Sequence, residues 1–175
     1  MLLFVLIVVA LSNVADSFTY TNFIVTGFKN CDSNNRSKQY LEFVTENGKQ
    51  FLTFDINFPR TLDDTVGTST LIESSINGRT YTPLFQIRDK SACKTANKYL
   101  GEFWYDILRA AQIIPGLCPI PKKRYRASMH YLDYSKISLQ TFPFGKLKFG
   151  IKVMPNDNPD YVILCNEFYI ENKIN

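Results

Sequence analysis

"KLKFGIKV", Lys146 to Val153, decides the fold. Leu147, Phe149, Ile151 and Val153 alternate with Lys146, Lys148, Gly150 and Lys152. A period of two places the apolar set on one face of a strand and the lysines on the other. Such a strand belongs in an antiparallel sheet with one dry and one wet face. "FLTFDINF", Phe51 to Phe58, repeats the pattern: Leu52, Phe54, Ile56 and Phe58 face one way, Asp55 and Asn57 the other. Weaker alternation marks 19–25, 39–45, 68–76, 80–88, 125–132 and 161–170. Asn47-Gly48 and Asn77-Gly78 are two-residue hairpin signals, and Pro155–Asp160 is another tight connection. Short strands at these spacings predict an all-β fold, a two-sheet antiparallel sandwich or a barrel.

One segment departs from that period. Tyr99, Leu100, Phe103, Trp104, Ile107, Leu108 and Ala111 form the i, i+3, i+4 stripe of an amphipathic helix over about 95–113. Pro115 and Gly116 end it. Cys93 and Cys118 bracket it.

The N-terminus sets the expected compartment. "LLFVLIVVAL", Leu2 to Leu11, is an unbroken apolar run, too short for a bilayer, which needs about 20 residues. With the small residues Ala15 and Ser17 after it, it reads as a signal peptide, 1–17, rather than as a buried N-terminal strand. Residues 18–175 then form a single domain of a secreted protein with no transmembrane segment. The net charge of +4 is mild, and both signs are spread along the chain. No nucleic-acid footprint is expected.

The four cysteines, Cys31, Cys93, Cys118 and Cys165, all follow the leader. An even number in an oxidising compartment implies two disulfides, with three pairings open. No C-x-x-C points to zinc, and no cofactor is expected. Asn35-Arg36-Ser37 is a glycosylation sequon in a polar, loop-like stretch.

Reactive chemistry finds little support. His130 is the single histidine, no G-x-S-x-G elbow accompanies it, and alternation with Met129 and Tyr131 turns it toward water. Asp63-Asp64 lies in polar turn sequence. The chain is not expected to be an enzyme. Aromatic residues make up 14% of it, and many fall on inward strand positions. They either fill a solid core or line an apolar cavity for a small molecule.

"CPIPKKRYRASMHYLDYS", from Cys118, and "KLKFGIKVMPNDNPDYVILCNEFYI", from Lys146, together resemble the MD-2-related lipid-recognition family. The likeness is nearest to its Niemann-Pick type C2-like sterol carriers and diverged insect branch. It covers about Cys93 to Ile170 and carries a Cys-Pro-Ile, a basic stretch with Tyr125, an alternating strand, a polar turn and a strand with the last cysteine. The resemblance implies a secreted, immunoglobulin-like sandwich holding a lipid (sterol, fatty acid or glycolipid) between its sheets. It implies the pairs Cys31–Cys165 and Cys93–Cys118. In the sterol carriers the middle cysteines enclose a short turn; here they enclose 94–117. The helix so inserted either covers a cavity mouth, with Phe103 and Trp104 toward the ligand, or caps a sheet edge.

Alternation then nominates the lining: Phe54, Ile56 and Phe58; Tyr81, Phe85 and Ile87; Met129 and Tyr131; Phe149, Ile151 and Phe168; and Trp104 from the helix. Lys122, Lys123, Arg124 and Arg126 form an outward basic rim. That rim is either a solvated start to the next strand or a contact for anionic membrane. The alternative reading of the whole is a secreted interaction module, a receptor accessory or effector, with the same fold and a filled core.

Overall fold

A computed structural model of the protein describes residues 22–139 and 142–173. The expected signal peptide, 1–17, lies outside the described residues, as does the start of the first expected strand. Eight strands are described: β1 (Phe23–Asn30), β2 (Tyr40–Glu46), β3 (Lys49–Asn57), β4 (Val66–Ser75), β5 (Thr82–Asp89), β6 (Arg124–Tyr131), β7 (Gly145–Pro155) and β8 (Leu164–Asn172). They form two antiparallel sheets, β1-β8-β7-β4-β5 and β2-β3-β6. This is the expected two-layer sandwich, and one buried cluster joins its layers: Leu52 and Phe54 of the small sheet pack with Val66, Val153 and Leu164 of the large one.

Alternation in β7 is realised in full. Phe149 lies opposite Phe168 on one side and Ile72 on the other. Phe28 pairs with Phe168, and Ile72 with Phe85. One inner-face row therefore runs Phe28–Phe168–Phe149–Ile72–Phe85 across all five strands. The next row sets Asn166, Ile151, Thr70 and Ile87 side by side.

Asn47 and Gly48 turn β2 into β3 with positive φ at both (50° and 74°), as a type I′ hairpin requires. The Asn77-Gly78 expectation is corrected. Residues 76–81 make a longer loop, because the Asn77 carboxamide oxygen accepts from the backbone of Arg79 and Thr80 and holds the chain in an Asx turn.

The single expected helix is two: α1 (Ala92–Leu100) and α2 (Glu102–Ala110). Ser91 caps α1. The break is Gly101, whose φ of 56° and ψ of −131° are open only to glycine, and a Cβ there would overlap the Ser138 side chain. The apolar stripe runs straight through this position, so periodicity alone reads it as continuous.

Both implied disulfides are formed, Cys31–Cys165 and Cys93–Cys118. The peptide before Pro119 is cis. A second tie between the layers is polar. β1 is an edge strand, and the Gln50 carboxamide of β3 takes both peptide groups of Val25, accepting from its N–H and donating to its carbonyl at 2.9 Å each. Gln50 is 5% exposed and also accepts from the Tyr134 hydroxyl at 2.6 Å. Its amide thus stands in for a strand that the edge lacks.

Candidate functional site

The inner faces of the sandwich and the helix pair converge on one region. α2 lies against the inner face of the small sheet. Trp104, Ile107, Leu108 and Ala111 face Leu41, Leu52, Phe54, Ile56, Phe58 and Tyr125 across a pocket of about 80 Å³, which Ile113 and Ile120 complete. Every lining residue is apolar but for the Trp104 indole and the Tyr125 hydroxyl, and Tyr125 donates to the Pro121 carbonyl at 2.7 Å. Trp104 Nε1 is buried and meets no acceptor among the described residues.

Phe103, on the other flank of α2, stacks on Tyr134 with ring centres 5.4 Å apart. Tyr134 in turn lies edge-on to Phe23, which contacts Phe149 and Phe142. Burial pushes the Tyr134 phenol well above its ordinary range. It therefore stays a neutral donor to Gln50 at any physiological pH.

The nominated lining divides into three groups. Phe54, Ile56, Phe58 and Trp104 meet in the pocket. Phe85, Ile87, Phe149, Ile151 and Phe168 lie in register on the inner face of the large sheet. These five inward residues are nevertheless incompletely covered, with Phe149, Ile151 and Phe168 half-buried and Phe85 38% exposed.

The third group is corrected. Tyr81 lies outside β5, against Lys148 and Tyr169 on the opposite face of the large sheet, 5.3 Å and 5.8 Å from ring centre to Nζ and to ring. Met129 and Tyr131 are exposed. Ala127 pairs with Phe54 and His130 with Leu52, so Ser128 and Met129 together oppose Thr53 in a β-bulge. Met129 takes φ 51°, and the extra residue reverses the alternation after it. His130 therefore shares the inner side with Leu52 instead of facing water, and Tyr131 turns outward to Phe51 and Lys49.

That placement has a measurable consequence. Burial lowers the His130 pKa, against a smaller opposing pull from the Asp106 carboxylate. The folded state prefers neutral imidazole. Its contribution to stability is whole above the unfolded value of about 6.5 and is lost as pH falls through the depressed folded value. We expect the lone imidazole resonance to titrate below 6.5 in the native protein. A midpoint at or above that value would remove the assignment to the inner side.

The basic rim is exposed, as expected, but it is not four free cations. Arg124 grips Asp55 through Nε and Nη2 at 2.7 and 2.6 Å, and Arg126 Nε reaches the same carboxylate at 2.9 Å. The arginines hold the Asp55 carboxyl below its usual range. At the sequon Asn35 is exposed with φ 43°, while Ser37 is fully buried. Asp63 and Asp64 are turn residues: Asp63 bonds Thr65, and Asp64 pairs with Lys94 at 2.8 Å. Among the described residues no helix is long and apolar enough to cross a membrane.

Sequence reasoning missed Leu41, Leu52, Ile107, Leu108, Ala111, Ile113, Ile120 and Tyr125 as pocket residues. Leu52, Tyr125 and the helix-stripe positions Ile107, Leu108 and Ala111 lay on apolar faces of expected elements, so the signal was there; Ile113 and Ile120 lie outside the strands and helices. Leu41 sits in β2, whose alternation is too weak to assign.

No protein-family profile matches the chain, and no curated protein does. Among solved structures it is similar to chicken MD-1 complexed with lipid IVa, at 11% identity and a TM-score of 0.44. The match covers 89% of this chain and 94% of that one.

Proposed function

We propose that the protein is a secreted lipid carrier that holds an apolar chain, without covalent chemistry, between the inner face of its large sheet and α2. One observation carries this reading. The aromatic row Phe28–Phe168–Phe149–Ile72–Phe85 points into the sandwich, yet four of its five side chains stay accessible to solvent. A finished core buries rings of this size, and each methylene laid over them contributes roughly 0.8 kcal/mol. The apolar pocket between α2 and the small sheet offers a second apolar surface. The two disulfides support an oxidising compartment.

The pocket itself, at about 80 Å³, is far below the roughly 300–1,000 Å³ of ordinary ligand sites. A chain of any length must therefore displace α2 or lie along the accessible row. That small volume favours the second reading, an interaction module with a filled core. Lipid extraction of the purified protein, and uptake of a fluorescent fatty acid and a fluorescent sterol, separate the two. A carrier yields lipid and takes up a probe, and Phe149→Ala weakens the uptake. A filled module yields none, and Phe149→Ala lowers stability by about 3–5 kcal/mol while leaving lipid association unchanged.

A further inference from the structure

Beyond the end of α2 the chain turns two large apolar side chains outward. Gln112 takes φ 59°, and the Ile113 N–H reaches back to the Leu108 carbonyl at 2.8 Å, as in a Schellman closure. Ile113 lines the pocket. The next four residues, Ile114-Pro115-Gly116-Leu117, form a β-turn closed by the Leu117 N–H on the Ile114 carbonyl at 3.3 Å. Proline stands second and glycine third, with φ 74°, which is the type II pattern. Asn97 of α1 donates to the Gly116 carbonyl at 3.1 Å, Tyr105 backs Gly116, and the Cys93–Cys118 bridge fastens the far end. The turn is thus held from both sides, yet it leaves Ile114 68% and Leu117 50% exposed. Exposed apolar groups on so fixed a frame mark a contact surface.

We propose that this turn docks the protein on the surface of a lipid bilayer, with Ile114 and Leu117 entering the interface. The proposal goes beyond the carrier reading and is tested apart from it. Ile113 and Ile120, which flank the turn in sequence, both line the apolar pocket, so a bilayer met here lies beside that pocket. It also meets the end of α2, the element that a bound chain must displace. Charge agrees with this partner. Lys122 and Lys123 follow Ile120, are exposed and make no ion pair among the described residues, whereas Arg124 and Arg126 are committed to Asp55. Apolar insertion together with free cations is the combination that holds a peripheral protein on an anionic membrane. Two exposed side chains fall far short of the roughly 800 Å² per partner that a stable protein interface buries. They suffice for reversible insertion.

The test floats the purified protein with vesicles of phosphatidylcholine, with and without phosphatidylserine. The parent should float with both, and more strongly with the anionic vesicles by roughly fivefold for each free lysine. Added salt should remove that excess and leave the apolar part. Ile114→Ser combined with Leu117→Ser should weaken binding to both vesicles by at least roughly tenfold. Both positions are exposed, so this variant should keep the unfolding midpoint of the parent. Ile76→Ser, at a fully exposed isoleucine between β4 and β5, should change nothing. A parent that does not float, a double variant that floats like the parent, or an equal loss in Ile76→Ser overturns the proposal. So does self-association of a parent that does not float, abolished in the double variant, which makes a second copy the occupant. Fluorescent sterol and fatty acid separate docking from carriage. The double variant should take up a probe normally from cyclodextrin but slowly from vesicles. Equal loss from both sources overturns docking. No uptake by the parent from either source removes the carrier reading, and flotation then decides docking alone.

Discussion

Replacing Cys31 and Cys165 together by serine should lower the stability of the protein by about 5 kcal/mol. The two lie 134 positions apart, and the chain-entropy account of a cross-link grows with the loop it closes. The same account gives about 3.5 kcal/mol for Cys93–Cys118, whose separation is 25. Position reinforces the difference. Cys31 follows β1 and Cys165 lies in β8, and Cys31 also donates its N–H to the Cys165 carbonyl at 2.9 Å. The long bridge therefore pins the edge strand of the large sheet to its neighbour. The short one fastens α1 to the segment leading into β6. Denaturant unfolding of the two double-serine variants measures both. A loss below about 1 kcal/mol for the long bridge, or a larger loss for the short one, contradicts this ordering.

Gln50→Leu should cost about 2–5 kcal/mol, an unusually large effect for one uncharged side chain. Leucine matches the volume but offers no polar atom. The N–H and carbonyl of Val25 then lose the partner that Gln50 supplies, in a buried setting where each orphaned group is worth about 1–3 kcal/mol. Gln50→Glu separates geometry from polarity: a carboxylate still accepts from Val25 N–H and the Tyr134 hydroxyl but repels the Val25 carbonyl. It should be destabilising too, and less so at low pH, where the protonated acid regains a donor. Thermal unfolding across pH reads this directly. A Gln50→Leu protein as stable as the parent means that the amide is no tie between the layers.

Much of this architecture was legible in the sequence for a simple reason. Strands with one wet face write their burial into every second residue, and β7 and β3 do so without interruption. Phe85, Phe149 and Phe168 of the aromatic row followed from that parity, whereas Phe28 lies beyond the strand expected at 19–25. The cysteine pairing came from the family resemblance, not from any property of the spacing. Three features were not legible, and each is a local backbone event. Gly101 divides a helix whose apolar stripe is unbroken, because a glycine without Cβ interrupts direction and not periodicity. The bulge at Met129 inserts one residue and so reverses the inward set of β6 beyond it, exchanging His130 for Tyr131. Tyr81 falls just before β5 begins, where alternation no longer governs. The ion pairs of Arg124 and Arg126 with Asp55 were hidden for another reason: cross-strand register joins residues about 70 positions apart, and composition cannot show it.

The pairing of β1 with β8 also dictates when the molecule can be finished. Phe23 lies opposite Asn172, so β1, once it leaves the ribosome, waits for β8. At synthesis rates of about 5–20 residues per second, that is a delay of roughly 7–30 s. Until then β1 has an open edge and Cys31 an unpaired thiol, whereas the small sheet has all three strands once β6 has emerged. A chain built in this order favours early closure of β2 with β3 through its Asn-Gly turn, and completes the large sheet only after β8 emerges. Non-local pairing of this kind slows folding and leaves apolar strands exposed for longer. Yield in the cell should therefore depend on how well nascent β1 is shielded, quite apart from how stable the completed sandwich is.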